Sequence, residues 1–489
     1  MAISTIETRL RRRRLGLMAV WLALLVAGCS VDGRLGDGLG RLMSETEEVE
    51  LSAKEHPKII GAFGGVYVNP VLQSGLESIV NRLGRASERP DITYQVTVLN
   101  SPNINAFALP GGYLYVTRGM LALASDADEL AAVLAHEMGH VSARHAAKRQ
   151  SEALRAVFLG RISHVLRDPA AIGQALRGSE SMLASFSRNQ ELEADEIGVE
   201  TAVRAGFDPY GAASFLEAMS RDSDERAQAL GQERDAHRPT LASSHPATPE
   251  RIRRVMELAG NLGFAPGKRT RERSAYFDMI DGVLYGEDPA EGYVRGRRFL
   301  HPTQMFTFAV PEGFSLQNSH EAVFAVGGND AALRFDGIEV AADQSLEDYV
   351  AAVWARGTDV GQLRSESING IPVAFGEAVH EGWQYRLAAV RLTPQRVYRF
   401  LFAAREIDAE GERDFERIVG SLRTLSEREV TALKPLKLRI VTVRPGETVR
   451  SLARRMADSG DREERFRIIN GLAPGEEVRA GQEIKLIGE

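Results

Sequence analysis

Patterning along the chain predicts a multidomain protein: a mainly α domain with a small β-sheet, then an antiparallel α+β domain, then a small βααβ module. Three observations carry this. The 489 residues exceed what one hydrophobic core usually supports. Helical periodicity dominates 49–263, with strand-like alternation only at 92–98 and 113–116. After a stretch at 264–302 where Pro266, Gly267, Gly286, Pro289 and many charges read as a connector, short strands alternate with short helical runs.

The N-terminus bears on compartment. Arg9 and Arg11 to Arg14 precede an apolar run from Leu15 to Ala27, shorter than the about 20 residues of a spanning helix, so 1–28 reads as a signal peptide. Its end, Val26-Ala27-Gly28-Cys29, resembles the bacterial lipoprotein cleavage box. That resemblance implies a lipid on Cys29 as the membrane anchor and a tether over 29–48. With Ser30 rather than an aspartate next, it implies a periplasm-facing lipoprotein of the outer membrane. Cys29 is the only cysteine, so there is neither a disulfide framework nor a cysteine metal cluster. The formal charge of −7, more negative once the arginine-rich leader is removed, argues against a nucleic-acid partner.

Within the first domain, His136-Glu137-Met138-Gly139-His140 sits in a run predicted to be helical. Asp126 followed by Glu129 is a capping-box-like start, and Leu130, Val133, Leu134, Met138 and Val141 form one apolar stripe. On such a helix His136 and His140 project from one side, so both imidazoles reach one ion at about 2.0 to 2.1 Å. Glu137 is rotated off that line. It is free to take a proton from a water whose pKa falls to about 7 on zinc.

Two imidazoles leave a catalytic zinc one ligand short of the usual three. Position 146 is Ala146, and His145 is assigned to a different helix face, so a later carboxylate is required. The run from Ser187 to Asp195 supplies Glu191 and Asp195 on one face, with Glu193 pointing elsewhere. One carboxylate can bind the metal while the other orients a ligand histidine through its remaining N–H.

His136-Glu137-x-x-His140 followed by Glu191-x-x-x-Asp195 resembles the zincin-type HtpX- and BepA-like zinc metallopeptidases, relatives of the CAAX prenyl protease. "EHPKIIGAFGG" near Glu55, "NAFALPGGYLYVTRGML" from Asn105, "AGFDPYGAASFLEAM" from Ala205 and "HPATPERI" from His245 fit the same family. The resemblance covers roughly Glu55 to Glu257. It implies one zinc ion held by His136, His140 and Glu191, with Glu137 as general base and Asp195 behind the ligands. It also implies that Asn105, Ala106, Phe107 and Ala108 form an edge strand for an extended substrate. The residues agree, since Ala106-Phe107-Ala108 ends at Pro110-Gly111-Gly112 and offers a rim for β-addition. His245 and Arg251 are implied near the metal, His245 as a removable fourth ligand or transition-state donor and Arg251 orienting it or the substrate carbonyl.

The remaining domains differ from those of such relatives. Region 303–426, with strands near 306–310, 332–335 and 397–402, faintly resembles the small α+β fold of PsbP-like domains. Region 436–488 resembles a LysM domain through Val443-Arg444-Pro445-Gly446-Glu447-Thr448, Asn470-Gly471-Leu472 and Ala480-Gly481-Gln482, which implies peptidoglycan as a partner. The whole predicts a lipid-anchored periplasmic zinc endopeptidase acting on polypeptides, in envelope protein quality control. The alternatives are a non-catalytic chaperone-like or peptidoglycan-binding envelope protein, and a cell-wall hydrolase.

Overall fold

The computed structural model describes residues 43–149, 186–230, 241–267, 273–328, 331–380, 382–457 and 461–489. Cys29, the leader and most of the tether lie outside the described residues. Among the described residues, no helix is long and apolar enough to cross a membrane.

A helical region comes first. It contains α1 (Glu45–Ala62), α2 (Pro70–Ala86), β1 (Gln95–Leu99), β2 (Ala106–Leu109), β3 (Tyr113–Thr117) and α3 (Arg118–Leu123). Then follow α4 (Ala127–Ser142), α5 (Arg188–Arg204), α6 (Tyr210–Leu230), α7 (Leu241–Ser244) and α8 (Pro249–Asn261). The sheet order is β1-β3-β2, with β1 parallel and β2 antiparallel to the central β3. Alternate side chains of β1 and β3 meet the apolar stripe of α4, so Val96, Val98, Leu114, Val116, Leu130, Val133, Leu134 and Met138 share one core.

The stretch 264–302 is not the bare connector its charge and glycine content suggest. It contains α9 (Arg273–Ile280), whose Tyr276, Phe277, Met279 and Ile280 are buried in the same core as α4. It also contains β4 (Tyr293–Arg295) and β5 (Arg298–His301), which begin the next sheet. Buried Arg118 ties this stretch down, donating to the Leu284 carbonyl at 2.7 Å and the Gly286 carbonyl at 3.1 Å. The apolar side chains of α9 are too few to show a stripe against the charges around them.

A β-rich region follows. β6 (Phe306–Ala309) completes a four-stranded sheet of order β14-β6-β5-β4, in which β14 spans Arg423–Thr424. The larger sheet comprises β7 (Ser315–Asn318), β8 (Val323–Val326), β9 (Ala332–Glu339), β10 (Val360–Ile368), β11 (Ile371–His380), β12 (Trp383–Thr393) and β13 (Arg396–Ala404). It is antiparallel throughout, in the order β10-β11-β12-β13-β9-β8-β7. The short helix α10 (Leu346–Asp348) lies between β9 and β10, and an aromatic core of Phe299, Phe306, Phe308, Phe335, Tyr398, Phe400 and Phe402 joins the two sheets, with α11 (Ala409–Gly420) adding Phe415, Ile418 and Val419.

The C-terminal residues run β15 (Lys437–Thr442), α13 (Val449–Ala453), α14 (Arg462–Ile469) and β16 (Glu483–Gly488), the βααβ order expected, after a short α12 (Glu427–Ala432). Their own core is Val449, Leu452, Phe466, Ile484 and Leu486. The module does not stand apart. Leu438 and Ile468 belong to the core of α4, and the Lys485 ammonium, fully buried, donates to the carbonyls of Ala122 at 2.8 Å and Ala124 at 2.6 Å.

Candidate metal centre

The site is built where α4 and α5 cross. Asp126 caps α4, its carboxylate accepting from the Glu129 N–H at 2.9 Å, and Glu129 accepts from the Ser125 N–H at 2.8 Å. Ser187 and Gln190 form a full capping box on α5. The crossing is close because glycines face the opposing backbone. A Cβ on Gly139 would lie 3.0 Å from the Ala194 carbonyl oxygen, and one on Gly198 would lie 2.9 Å from the His136 nitrogen. With no side chain between the helices, Glu191 and Asp195 reach His136 and His140.

His136 Nε2 and His140 Nε2 are 3.0 Å apart. Glu191 Oε2 is 3.5 Å from His136 Nε2, and Glu191 Oε1 is 3.5 Å from His140 Nε2. His245, placed by the turn between α7 and α8, brings Nδ1 to 3.3 Å from His136 Nε2 and 2.8 Å from Glu191 Oε1. These four side chains are buried, and their donor atoms lie within 4.8 Å of one another. Donors about 2.0 to 2.1 Å from one tetrahedral ion stand roughly 3.4 Å apart, so the set fits zinc. The donor chemistry fits as well, three imidazoles and one carboxylate.

The surroundings fix the ligands. Asp195 Oδ1 lies 2.9 Å from His136 Nδ1, though off the line of the ring N–H. Arg251 grips Asp195 at both oxygens, from Nε at 2.8 Å and Nη2 at 2.7 Å, while its Nη1 lies 2.8 Å from Glu191 Oε2. Arg251 also donates to the Pro246 carbonyl at 3.2 Å, next to His245. The arginine therefore orients carboxylates and the turn that carries His245.

Electrostatics separate the residues. Burial alone would discharge His136, but Asp195 and Glu191 outweigh it and hold the imidazole up to about 9. Burial also penalises the Glu191 carboxylate, yet hydrogen bonds from His136 and His245 keep it well below the usual range. Burial and the neighbouring imidazoles push His140 down. Glu137 goes the other way, raised chiefly by burial. It is 2% exposed, and its Oε1 has no hydrogen-bond partner, with His245 Nε2 3.8 Å away.

The edge strand needs a correction. Asn105, Ala106 and Phe107 are buried, with Phe107 stacked on Tyr115 at 4.7 Å, and Ala108 is half-buried, so their side chains do not form an exposed rim. Pairing with β3 turns these side chains into the sheet's own packing. What remains available is backbone: β2 is an edge strand of its sheet, paired only with β3 among the described residues.

Three further residues complete the surroundings of His140. Phe186 stacks on the His140 ring at 4.0 Å. His145, expected on another face of the helix, instead lies 2.8 Å from His140, Nδ1 to Nδ1. Glu193, expected to point away, meets His145 Nε2 at 3.1 Å. The helix ends at Ser142, and Arg144 turns into the left-handed region (φ 55), which carries His145 back under His140. A helical wheel continued past Arg144 misplaces it.

Residues 70–259, the segment that holds every ligand candidate, match the profile of Peptidase family M48. This segment is therefore similar to the M48 zinc metallopeptidases. The chain is 33% identical over 186 residues to a mitochondrial metalloendopeptidase OMA1 of Schizosaccharomyces pombe, covering 37% of this chain and 50% of that protein. It is 27% identical over 239 residues to a beta-barrel assembly-enhancing protease of Escherichia coli, covering 47% of each. A putative protease of the same name from Vibrio cholerae is 31% identical over 201 residues, covering 39% of this chain and 40% of its own length. The chain thus spans half or less of the length of these relatives. A solved cyanobacterial PsbP from Synechocystis matches 27% of this chain and 98% of its own at 12% identity, with a TM-score of only 0.22.

Proposed function

We propose that the protein is a zinc-dependent endopeptidase that cleaves polypeptides in bacterial envelope protein quality control, from the periplasmic face of a membrane. The observation that carries the catalytic part is Glu137. A buried carboxylate whose Oε1 has no partner, beside four converging ligand atoms, is costly unless it has a proton to move. A purely structural metal site has no use for it. Zinc bound here would supply Lewis acidity and lower the pKa of a water. Glu137 takes the water proton at its carboxylate and delivers it to the leaving amine. His136, His140 and Glu191 would hold the ion, and His245 stands beside them where a substrate would approach. An extended peptide adds to β2 through main-chain hydrogen bonds.

The quality-control role rests on similarity to the beta-barrel assembly-enhancing proteases. Membrane attachment rests on the leader and Cys29, and peptidoglycan binding on the LysM-like pattern of 436–488. Purified protein incubated with an unfolded polypeptide should cleave it, lose activity to a chelator and regain it with zinc. Glu137→Gln should keep its zinc and lose about 10² to 10⁴ in rate. Cleavage by the zinc-loaded Glu137→Gln protein at the native rate would overturn the mechanism. Cys29→Ala should abolish membrane partitioning, and intact protein that still sediments with membranes would remove the anchor.

A further inference from the structure

The two ligand histidines are supported differently. His136 backs onto Asp195, a carboxylate locked by Arg251. Behind His140 stands another imidazole: His140 Nδ1 is 2.8 Å from His145 Nδ1, and His145 Nε2 is 3.1 Å from Glu193 Oε2. His145 is 0% exposed, so its ring is shielded from water on the His140 side, while Glu193 is half-exposed.

Once His140 binds a metal through Nε2 as a neutral ligand, valence sets the protons along this chain. His140 presents Nε2 to the cluster, so as a neutral ligand it carries its hydrogen on Nδ1. That N–H must donate to His145 Nδ1, which is therefore a bare acceptor. The His145 proton then sits on Nε2 and is donated to the Glu193 carboxylate, whose other oxygen is 3.9 Å from Lys148. Resting on the zinc reading above, we propose that His145 and Glu193 are positioning residues for the metal: an imidazole relay that fixes the tautomer and ring orientation of His140 and raises its basicity as a ligand.

The relay is held from outside the two helices. His145 reaches His140 only because Arg144 takes positive φ, and the Arg144 guanidinium is clamped by Glu48 of α1, from Nε at 3.1 Å and Nη2 at 2.9 Å. Phe186, stacked at 4.0 Å and 19°, keeps the His140 ring from turning away. The interaction therefore has a built geometry rather than a chance approach of two rings.

Zinc affinity measured by chelator competition reads this without reference to proteolysis. His145→Leu should bind zinc about 10- to 100-fold more weakly, since the His140 N–H loses its acceptor. His145→Gln, whose side-chain oxygen accepts and whose amide donates, should recover most of that loss. Glu193→Ala, at a half-exposed position that does not threaten folding, should weaken binding severalfold. The cobalt-substituted His145→Leu protein should show a shifted ligand-field spectrum and the glutamine variant a near-native one. Should His145→Leu fail to fold, nitrogen NMR of the native protein decides: it should find His145 bearing its proton on Nε2. A proton on His145 Nδ1, or native zinc affinity in both His145→Leu and Glu193→Ala, overturns the relay. Failure of the native chain to bind zinc would instead remove the reading on which it rests.

Discussion

Two buried charged clusters in this molecule are built on opposite terms. At the module interface the Lys485 ammonium has three donors and three carbonyl acceptors, Ala122 at 2.8 Å, Leu123 at 3.4 Å and Ala124 at 2.6 Å. Its backbone is closed as well, exchanging hydrogen bonds with the Asn470 amide at 2.7 and 3.0 Å. At the metal centre, ring nitrogens face one another, and Glu137 Oε1 has no hydrogen-bond partner. A cluster that satisfies itself is architecture, and one that leaves atoms open awaits something from outside. The close approach of α3 to the start of α4 links the two, since Lys485 grips the carbonyls immediately before the Asp126 cap.

Breaking the open cluster should give the largest effect. Glu191→Ala removes a proposed ligand, so zinc affinity should fall by more than the about 100-fold that marks the loss of a supporting residue. Titration with a chelator checks this, and a smaller loss than in His145→Leu would mean that Glu191 is not a ligand. Gly198→Ala comes next. Its Cβ would stand 2.9 Å from the His136 nitrogen and 3.0 Å from its Cα, both backbone atoms that cannot swing aside. The helices must separate, and zinc affinity and melting temperature should drop together. Unchanged zinc affinity would show that the crossing has slack.

What the sequence revealed follows from where each determinant lies. His136, Glu137 and His140 sit in one helix with a readable cap and stripe, so spacing alone places them. Glu191 and Asp195 share a second helix, and their face is equally readable. His145 was not, because its position depends on Arg144, whose left-handed turn is held by Glu48 far back in α1. In the same way α9 was hidden: Tyr276, Phe277, Met279 and Ile280 find their partners in α2, α4 and the C-terminal module, none of them local. The strand at Ala106 to Leu109 is legible in the sequence, but its burial is not, since burial of Phe107 depends on Tyr115 across the sheet.

The closed cluster predicts a pH effect instead. Burial pushes the Lys485 ammonium down to about 7 from 10.5, with Arg273 adding to the shift and Glu129 and Asp126 opposing it. Between those values the unfolded chain binds the extra proton, so stability rises with pH, by up to about 1.4 kcal/mol per unit. Below pH 7 both states are protonated and the slope vanishes. Lys485→Met should lack this rise. Melting temperatures of the two proteins measured from pH 7 to 10 should diverge in favour of the native chain, and parallel curves would show that the ammonium stays charged throughout.

The smallest effect, and the one that sharpens the contrast most, concerns His245. Its Nδ1 stands 3.3 Å from His136 Nε2 and 2.8 Å from Glu191 Oε1, inside the ligand set rather than behind it. A catalytic zinc must yield one position to water or substrate. His136 and His140 are braced from behind by Asp195 and His145, whereas His245 rides a short turn whose Pro246 carbonyl is held by Arg251. The least braced ligand is the one that can leave. His245→Ala should therefore weaken zinc binding only modestly and raise the cleavage rate of a short flexible peptide severalfold, measured at saturating zinc. A fall in kcat with zinc still bound would make His245 a donor to the reacting carbonyl instead. In that case the site would be open at rest, and its unpartnered atoms would face water rather than a displaceable ring.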